Sequence, residues 1–331
     1  MPDVFDILFL LALPASGKSE VRNYLTHKDP LSFHMGPTVQ LDDYPYVHLQ
    51  LIVDEILEKL GQPRVYHWAD DQGRNGPYMD PAELGGLIEL LNDDFAELRA
   101  GVPERPDNPA ARLLERFDAA SVRAGGRAKF LTMPAPLRAR LEQALMPEAK
   151  AFFDDKAANF PADLDGKTIV VEFARGGPKT DELPLAEGYG YKDSLKFLDP
   201  DVLDRAAILY IWVTPEESRR KNIARAAGHG AAGDGSILFH RTPDSVLDTE
   251  YGMCDMAWLV EQSAIPGTIR VERDGRTWDV PTERFDNRED LTSFLRADVG
   301  DWSQGDIDRI HTSIHAAADR LWETWSARRG T

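Results

Sequence analysis

Cysteine is almost absent from this chain. Cys254 is the single one in 331 residues, which excludes an intramolecular disulfide framework and any cysteine-based zinc site. Positive charge is also scarce. Lys and Arg number 38 against 56 Asp and Glu, a formal charge of −18. Nucleic acids and anionic membranes are read by clustered positive charge, so neither is an expected partner. A local basic pocket for one phosphorylated small molecule remains compatible with this balance. Long apolar runs are missing. The strongest, residues 7–13, is too short to cross a bilayer and follows Asp3 and Asp6 instead of a basic segment. There is no internal repeat, no low-complexity tract, no G-x-S-x-G, no Cys/His pair and no dinucleotide fingerprint. What remains is a globular composition, 42% hydrophobic and 28% charged, and the expectation of a cytoplasmic protein built as one large domain.

Residues 7–13 (Ile-Leu-Phe-Leu-Leu-Ala-Leu) are continuously apolar, as a central parallel strand covered on both faces must be. Residues 168–174 and 206–213 repeat that pattern, and 38–41 form a shorter strand stopped by Asp42-Asp43-Tyr44-Pro45. Residues 268–272 and 276–281 flank Asp274-Gly275, a hairpin turn signal. Helical spacing marks 47–60, 215–227 and the C-terminal stretch 300–331, expected to pack on the core. Between 62 and 165 the pattern changes, and the pieces 82–99, 108–123 and 137–159 read as a helical insertion. Residues 228–243 open on a Gly-rich stretch and read as a loop over the site.

Ala12-Leu-Pro-Ala-Ser-Gly17-Lys18-Ser19 has Walker A spacing with alanine in place of the first glycine. A loop leaving a buried strand can wrap a phosphate with inward N–H groups, and the following helix adds its positive end. In that reading Ala15, Ser16, Gly17, Lys18 and Ser19 bind the nucleotide. Gly17 permits close approach, Lys18 meets the terminal phosphates and Ser19 offers its hydroxyl to Mg²⁺. Ala15 suits such a loop if its φ is negative.

In an open parallel sheet the ligand lies beyond the carboxyl ends of the strands, which selects among the many acids. Asp42 and Asp43 follow the second strand, where a carboxylate can take a proton from an acceptor hydroxyl; Asp42 is placed ahead of Asp43, and a turn or capping role is the alternative. Glu172, near the end of the third buried strand, can orient a water on Mg²⁺ or serve as a base, or simply close a strand-end ion pair. Arg175 can hold a phosphate or the acceptor. Arg219, Arg220 and Arg225 lie on the helix after the fourth strand, with Arg241 beyond it, and can neutralise charge in phosphoryl transfer. Adjacent Arg219 and Arg220 are not expected to point the same way. His311 and His315 read as surface or packing groups ahead of zinc ligands, and Arg123, Arg127, Lys129, Arg138 and Arg140 as a solvated face ahead of a site for a phosphate on the acceptor. Tyr66, Trp68 and Tyr78 suit either base stacking or loop packing.

Three segments together resemble the P-loop kinases of the nucleoside and nucleotide kinase superfamily: residues 12–19, Gln40-Leu-Asp-Asp-Tyr-Pro-Tyr46, and the strand with its Arg-rich helix at 208–225. The Asp-Asp-Tyr element is similar to the Asp-x-Phe-Tyr element of the uridine kinase and nicotinamide riboside kinase group. The resemblance spans about residues 4–60 and 166–295. It implies that Asp42 is the base, that 219–241 form the lid, and that residues 280–287, ending in Asn287, run out under the adenine. The expectation is an α/β P-loop fold with a five-stranded parallel sheet flanked by helices. It would use ATP and Mg²⁺ to phosphorylate a small metabolite bound by the insertion. The rival is a nucleotide-dependent regulatory ATPase or switch with no metabolite acceptor.

Overall fold

The computed structural model describes residues 4–69, 75–227 and 242–329. The chain begins with β1 (Ile7–Leu11), α1 (Lys18–His27), β2 (Thr38–Asp42) and α2 (Tyr44–Lys59). The short pair β3 (His67–Ala69) and β4 (Asn75–Tyr78) precedes α3 (Ala82–Ala100), α4 (Pro109–Arg123) and α5 (Ala135–Ala158). Then come β5 (Thr168–Phe173), α6 (Gly190–Leu195), α7 (Pro200–Leu203), β6 (Ala206–Trp212), α8 (Pro215–Ala227), α9 (Asp244–Glu250) and α10 (Met256–Gln262). β7 (Thr268–Arg273), β8 (Arg276–Asp286) and α11 (Gln304–Arg329) complete it.

The central sheet has the order β2-β5-β1-β6-β8-β7. Five strands are parallel, and β7 pairs antiparallel with β8 at the edge. The sheet is thus six-stranded and mixed, where five parallel strands were expected. The difference lies in β8. Its residues 276–281 pair with β7 and its residues 282–286 pair with β6, so one strand serves two neighbours. Pro281, which cannot donate to a ladder, sits where the pairing changes over. The hairpin turn forms as expected, with Asp274 and Gly275 both at positive φ.

Every β1 residue is buried because both sheet faces are covered. Ile7, Phe9 and Leu11 meet α3, α6 and α10 through Ile88, Phe95, Tyr191 and Met256. Leu8 and Leu10 meet α1 and α11 through Val21, Tyr24, Ile314 and Trp325. His311 and His315 pack edge-on against Phe33, so they are packing groups as expected. A second core joins α2, α3, α4 and α5. Helix α3 is therefore a shared wall. Leu84, Leu87 and Leu90 face the insertion, while Ile88, Leu91 and Phe95 face the sheet. Among the described residues no helix is long and apolar enough to cross a membrane.

Polar side chains on α2 fix the insertion to that helix, which follows β2 of the sheet. Tyr46 donates to Asp94 (2.6 Å), and Tyr78 donates to Gln50 (2.6 Å). Asp54 is 0% exposed and accepts the backbone N–H groups of Val65, Tyr66 and His67 at 2.7–3.0 Å, plus His67 Nδ1 at 3.0 Å. Asp118 on α4 holds the N–H groups of Lys129, Phe130 and Leu131 in the same manner. Lys129 pairs with Glu83 and Arg123 with Glu89 and Asp93, so much of the basic stretch is tied into the insertion itself. An orphaned buried N–H costs about 1–3 kcal/mol. Replacing Asp54 by Ala strands three, so equilibrium urea unfolding of Asp54→Ala should show a loss of at least about 3 kcal/mol. A loss under about 1 kcal/mol would contradict this account of how the insertion is held.

Candidate phosphate-binding and proton-transfer site

The connections leaving β1 and β5 run to opposite sides of the sheet, to β2 and to β6, which places a topological switch point between these neighbouring strands. The loop from Ala12 to Gly17 sits there. Its alternate carbonyls are each held by a side chain from a different element. Tyr191 Oη donates to Ala12 O (2.9 Å), Ser218 Oγ to Pro14 O (2.7 Å) and Asn287 Nδ2 to Ser16 O (2.8 Å). Two residues of the loop are left-handed, Ala15 at φ 56° and Gly17 at φ 100°. A Cβ on Gly17 would overlap Thr292 Oγ1, so only glycine fits. Ala15 departs from the negative φ expected of it and carries strain of roughly 1 kcal/mol.

Ala15, Ser16 and Gly17 are buried residues, and their N–H groups find no acceptor among the described residues. Helix α1 starts at Lys18, and no side chain caps it. Orphaned N–H groups at a helix N-terminus, next to a turn with left-handed residues, make an anion-binding concavity. Lys18 and Ser19, both half-buried, lead the helix.

Asp42 is the last residue of β2 and lies directly opposite Glu172 of β5. The two carboxylates share the α1 face of the sheet. Arg22, one turn after Lys18, forms an ion pair with Glu172 at 3.0 Å. That contact lacks hydrogen-bonding geometry and leaves buried Glu172 Oε1 without a hydrogen-bond partner. Glu172 therefore does close an ion pair at the strand end, as its alternative reading had it. Asp42 accepts the Tyr44 N–H at 2.9 Å, so it also serves the turn. Burial, reinforced by the charges of Asp43 and Glu172, pushes Asp42 up to about 7 against the pull of the Tyr44 N–H and Lys18.

Asp43 points elsewhere. It meets Arg175 Nη1 at 2.7 Å, a pair in which both side chains are buried. Arg175 Nη1 also donates to Ala174 O and Nη2 to Leu84 O, while Nε is buried without a partner. Arg175 was expected to hold a phosphate or the acceptor; here it is committed to Asp43 and the backbone. Asn287 was expected beneath the adenine. It is 0% exposed instead, with Nδ2 on Ser16 O and Thr292 Oγ1 and Oδ1 accepting from Leu291, because the loop carbonyl needs a donor there.

Arg219 pairs with Asp244 and Asp248, and Arg220 pairs with Glu217 and Asp290 at 3.2 Å. The two thus diverge as expected, to different partners, and both border one cleft of ≈ 440 Å³ with Lys179 and Tyr251. Arg225 lies on α8 but its side chain is outside those described, as are Arg241 and residues 228–241 of the expected lid. Among the described residues no three His, Cys, Asp or Glu side chains converge on a metal.

Sequence reasoning missed Tyr191, Ser218, Thr292, Arg22 and Glu250. Arg22 had a signal, since it lies four residues after Lys18 on a helix. The others gave none. Glu250 accepts the Tyr78 N–H at 2.6 Å, and burial pushes it up to about 7, with Tyr78 and Arg175 opposing. No protein-family model matches the chain, and neither does any curated protein or solved structure.

Asp42 and Glu250 both hold a proton more tightly folded than unfolded, where their ordinary values are 3.8 and 4.5. Their stabilising contribution is full below about pH 4 and is lost as pH rises through about 7. Asp42→Asn removes one of these groups. Its unfolding free energy should therefore fall less steeply than the wild type's between pH 5 and 8, and exceed it at pH 8. Parallel slopes in denaturant titrations would show that Asp42 is not held protonated by the fold.

Proposed function

We propose that the chain is a Mg²⁺- and ATP-dependent phosphotransferase of the P-loop kind, transferring the γ-phosphoryl group to a hydroxyl or phosphate of a small metabolite such as a nucleoside, nucleotide or sugar. One observation carries this reading. In the turn that follows β1 the N–H groups of Ala15, Ser16 and Gly17 find no acceptor among the described residues, and a carboxylate pushed up to about 7 lies two strands away on β2, with Lys18 close enough to act on its charge. Phosphate grip and proton acceptance are the two things such a transfer asks of a protein.

The N–H groups from Ala15 to Ser19 and the Lys18 ammonium hold the phosphates. Mg²⁺, when bound, draws charge off the phosphates. The donors for it are the Ser19 hydroxyl and, through water, Glu172. Mg²⁺ keeps several waters and takes few protein ligands, so these two donors would be enough to hold it beside the phosphates. Asp42 takes the acceptor proton. A carboxylate held near 7 is ionised often enough to act and basic enough to be effective. Asp43 is tied to Arg175, which supports the choice of Asp42 over Asp43 as the base. Arg219 and Arg220 line a cleft on α8, whose Ser218 touches the phosphate loop, and can exchange their present carboxylate partners for phosphoryl oxygens. Acceptor choice is assigned to the insertion, which α2 fixes in place behind Asp42.

Lys18→Ala should abolish the thermal stabilisation of the protein by MgATP, and an undiminished shift would remove the phosphate site. Asp42→Asn should leave that shift nearly intact while lowering acceptor phosphorylation by about 10²-fold or more, the scale of a positioned base. If Asp43→Asn alone has this effect, the base is Asp43 and the assignment within the pair is wrong.

A further inference from the structure

Residues 287–293, which follow β8, touch both the phosphate loop and α8. Toward the loop they present Asn287 and Thr292, both fully buried. Asn287 Nδ2 holds Ser16 O at 2.8 Å, and Thr292 Oγ1 occupies the space that a side chain at position 17 would need. Toward α8 they present Asp290, which pairs with Lys221 Nζ at 2.8 Å and Arg220 Nη2 at 3.2 Å. Lys221 is only 1% exposed. A lysine is costly to bury, and here the ion pair with Asp290 offsets that cost, since among the described residues buried Lys221 Nζ makes no hydrogen bond of good geometry. Asp290 also adopts φ 54°, a left-handed conformation unfavourable for a residue other than glycine. A buried charge and backbone strain thus fall together on one short segment, held there by Asn287 Nδ2 and Oδ1 on one side and by Ser293 on the other.

Helix α8 reaches the phosphate loop by two routes. Ser218 binds Pro14 O directly, and Lys221 reaches Ser16 O through Asp290 and Asn287. These two carbonyls flank Ala15, the strained residue of the loop. We propose that residues 287–293 couple α8 to the phosphate loop, with Lys221 and Asp290 as positioning residues, so that the placement of α8 sets the loop conformation in which Ala15 and its neighbours hold phosphate. Anion binding in the loop and the placement of Arg219 and Arg220 on α8 are then one linked equilibrium. This deepens the phosphotransferase reading and rests on it. Lys221 touches neither the loop nor any reacting atom in this arrangement, so its effect on phosphate binding would come through Asp290.

A double-mutant cycle tests the coupling. Inorganic pyrophosphate and MgATP are titrated calorimetrically into wild type, Lys221→Met, Asn287→Ser and the double variant, with thermal unfolding of each unliganded protein measured alongside. The coupling predicts that Lys221→Met weakens pyrophosphate binding about tenfold and that the double variant binds no more weakly than Asn287→Ser alone. If Lys221→Met does not fold, Asp290→Asn takes its place with the same expectation. Wild-type affinity in a folded Lys221→Met or Asp290→Asn protein overturns the coupling, as do two effects that simply multiply. A wild type that binds neither probe overturns the phosphate-site reading itself, and the coupling with it.

Discussion

Three side-chain donors, from Tyr191, Ser218 and Asn287, hold the alternate carbonyls of residues 12, 14 and 16, and the rest of the site depends on that anchorage. A peptide whose carbonyl is bound on one side presents its N–H on another. Anchoring every second carbonyl therefore leaves N–H groups in a buried turn with no acceptor among the described residues. The donors come from α6, α8 and the segment after β8, so the loop is shaped by three parts of the fold at once. Backbone strain at Ala15 persists because these contacts over-determine the conformation.

The second organising feature is the separation of two adjacent aspartates. At the end of a strand successive side chains leave on opposite faces. Asp42 goes toward α1, Lys18 and Glu172, and Asp43 goes toward Arg175 and Leu84. The same dipeptide thus yields one carboxylate crowded by like charge and burial and one matched by a guanidinium. The first resists ionisation and the second has a buried cation to balance it. Division of labour between neighbouring acids here is a matter of strand geometry more than of residue type.

Some of this was legible in the amino-acid order. The unbroken apolar run at 7–13 located β1, and the Gly17-Lys18-Ser19 spacing located the loop. Asp42 stood out because it ends a strand. Both hairpin strands were legible, but their place in the sheet was hidden because β8 divides its length between two partners, and Pro281 made it look finished. The roles of Arg175 and Asn287 were not legible, because Asp43, Leu84, Ser16 and Thr292 lie far from them in the chain. Long-range partners of a buried polar group leave no periodic trace. Helix α3 was read as part of the insertion alone, since the Leu and Ile on its two faces serve two cores and give no single apolar stripe.

The central claim is that phosphate grip at the β1–α1 loop and proton acceptance at Asp42 belong to one transfer reaction. Incubation with MgATP and a panel of hydroxyl- and phosphate-bearing metabolites, read by mass spectrometry, tests it most directly. The account predicts one acceptor that gains a single phosphoryl group while an equal amount of ADP appears. ATP hydrolysis at a rate that no metabolite changes would contradict it and point to a nucleotide switch instead.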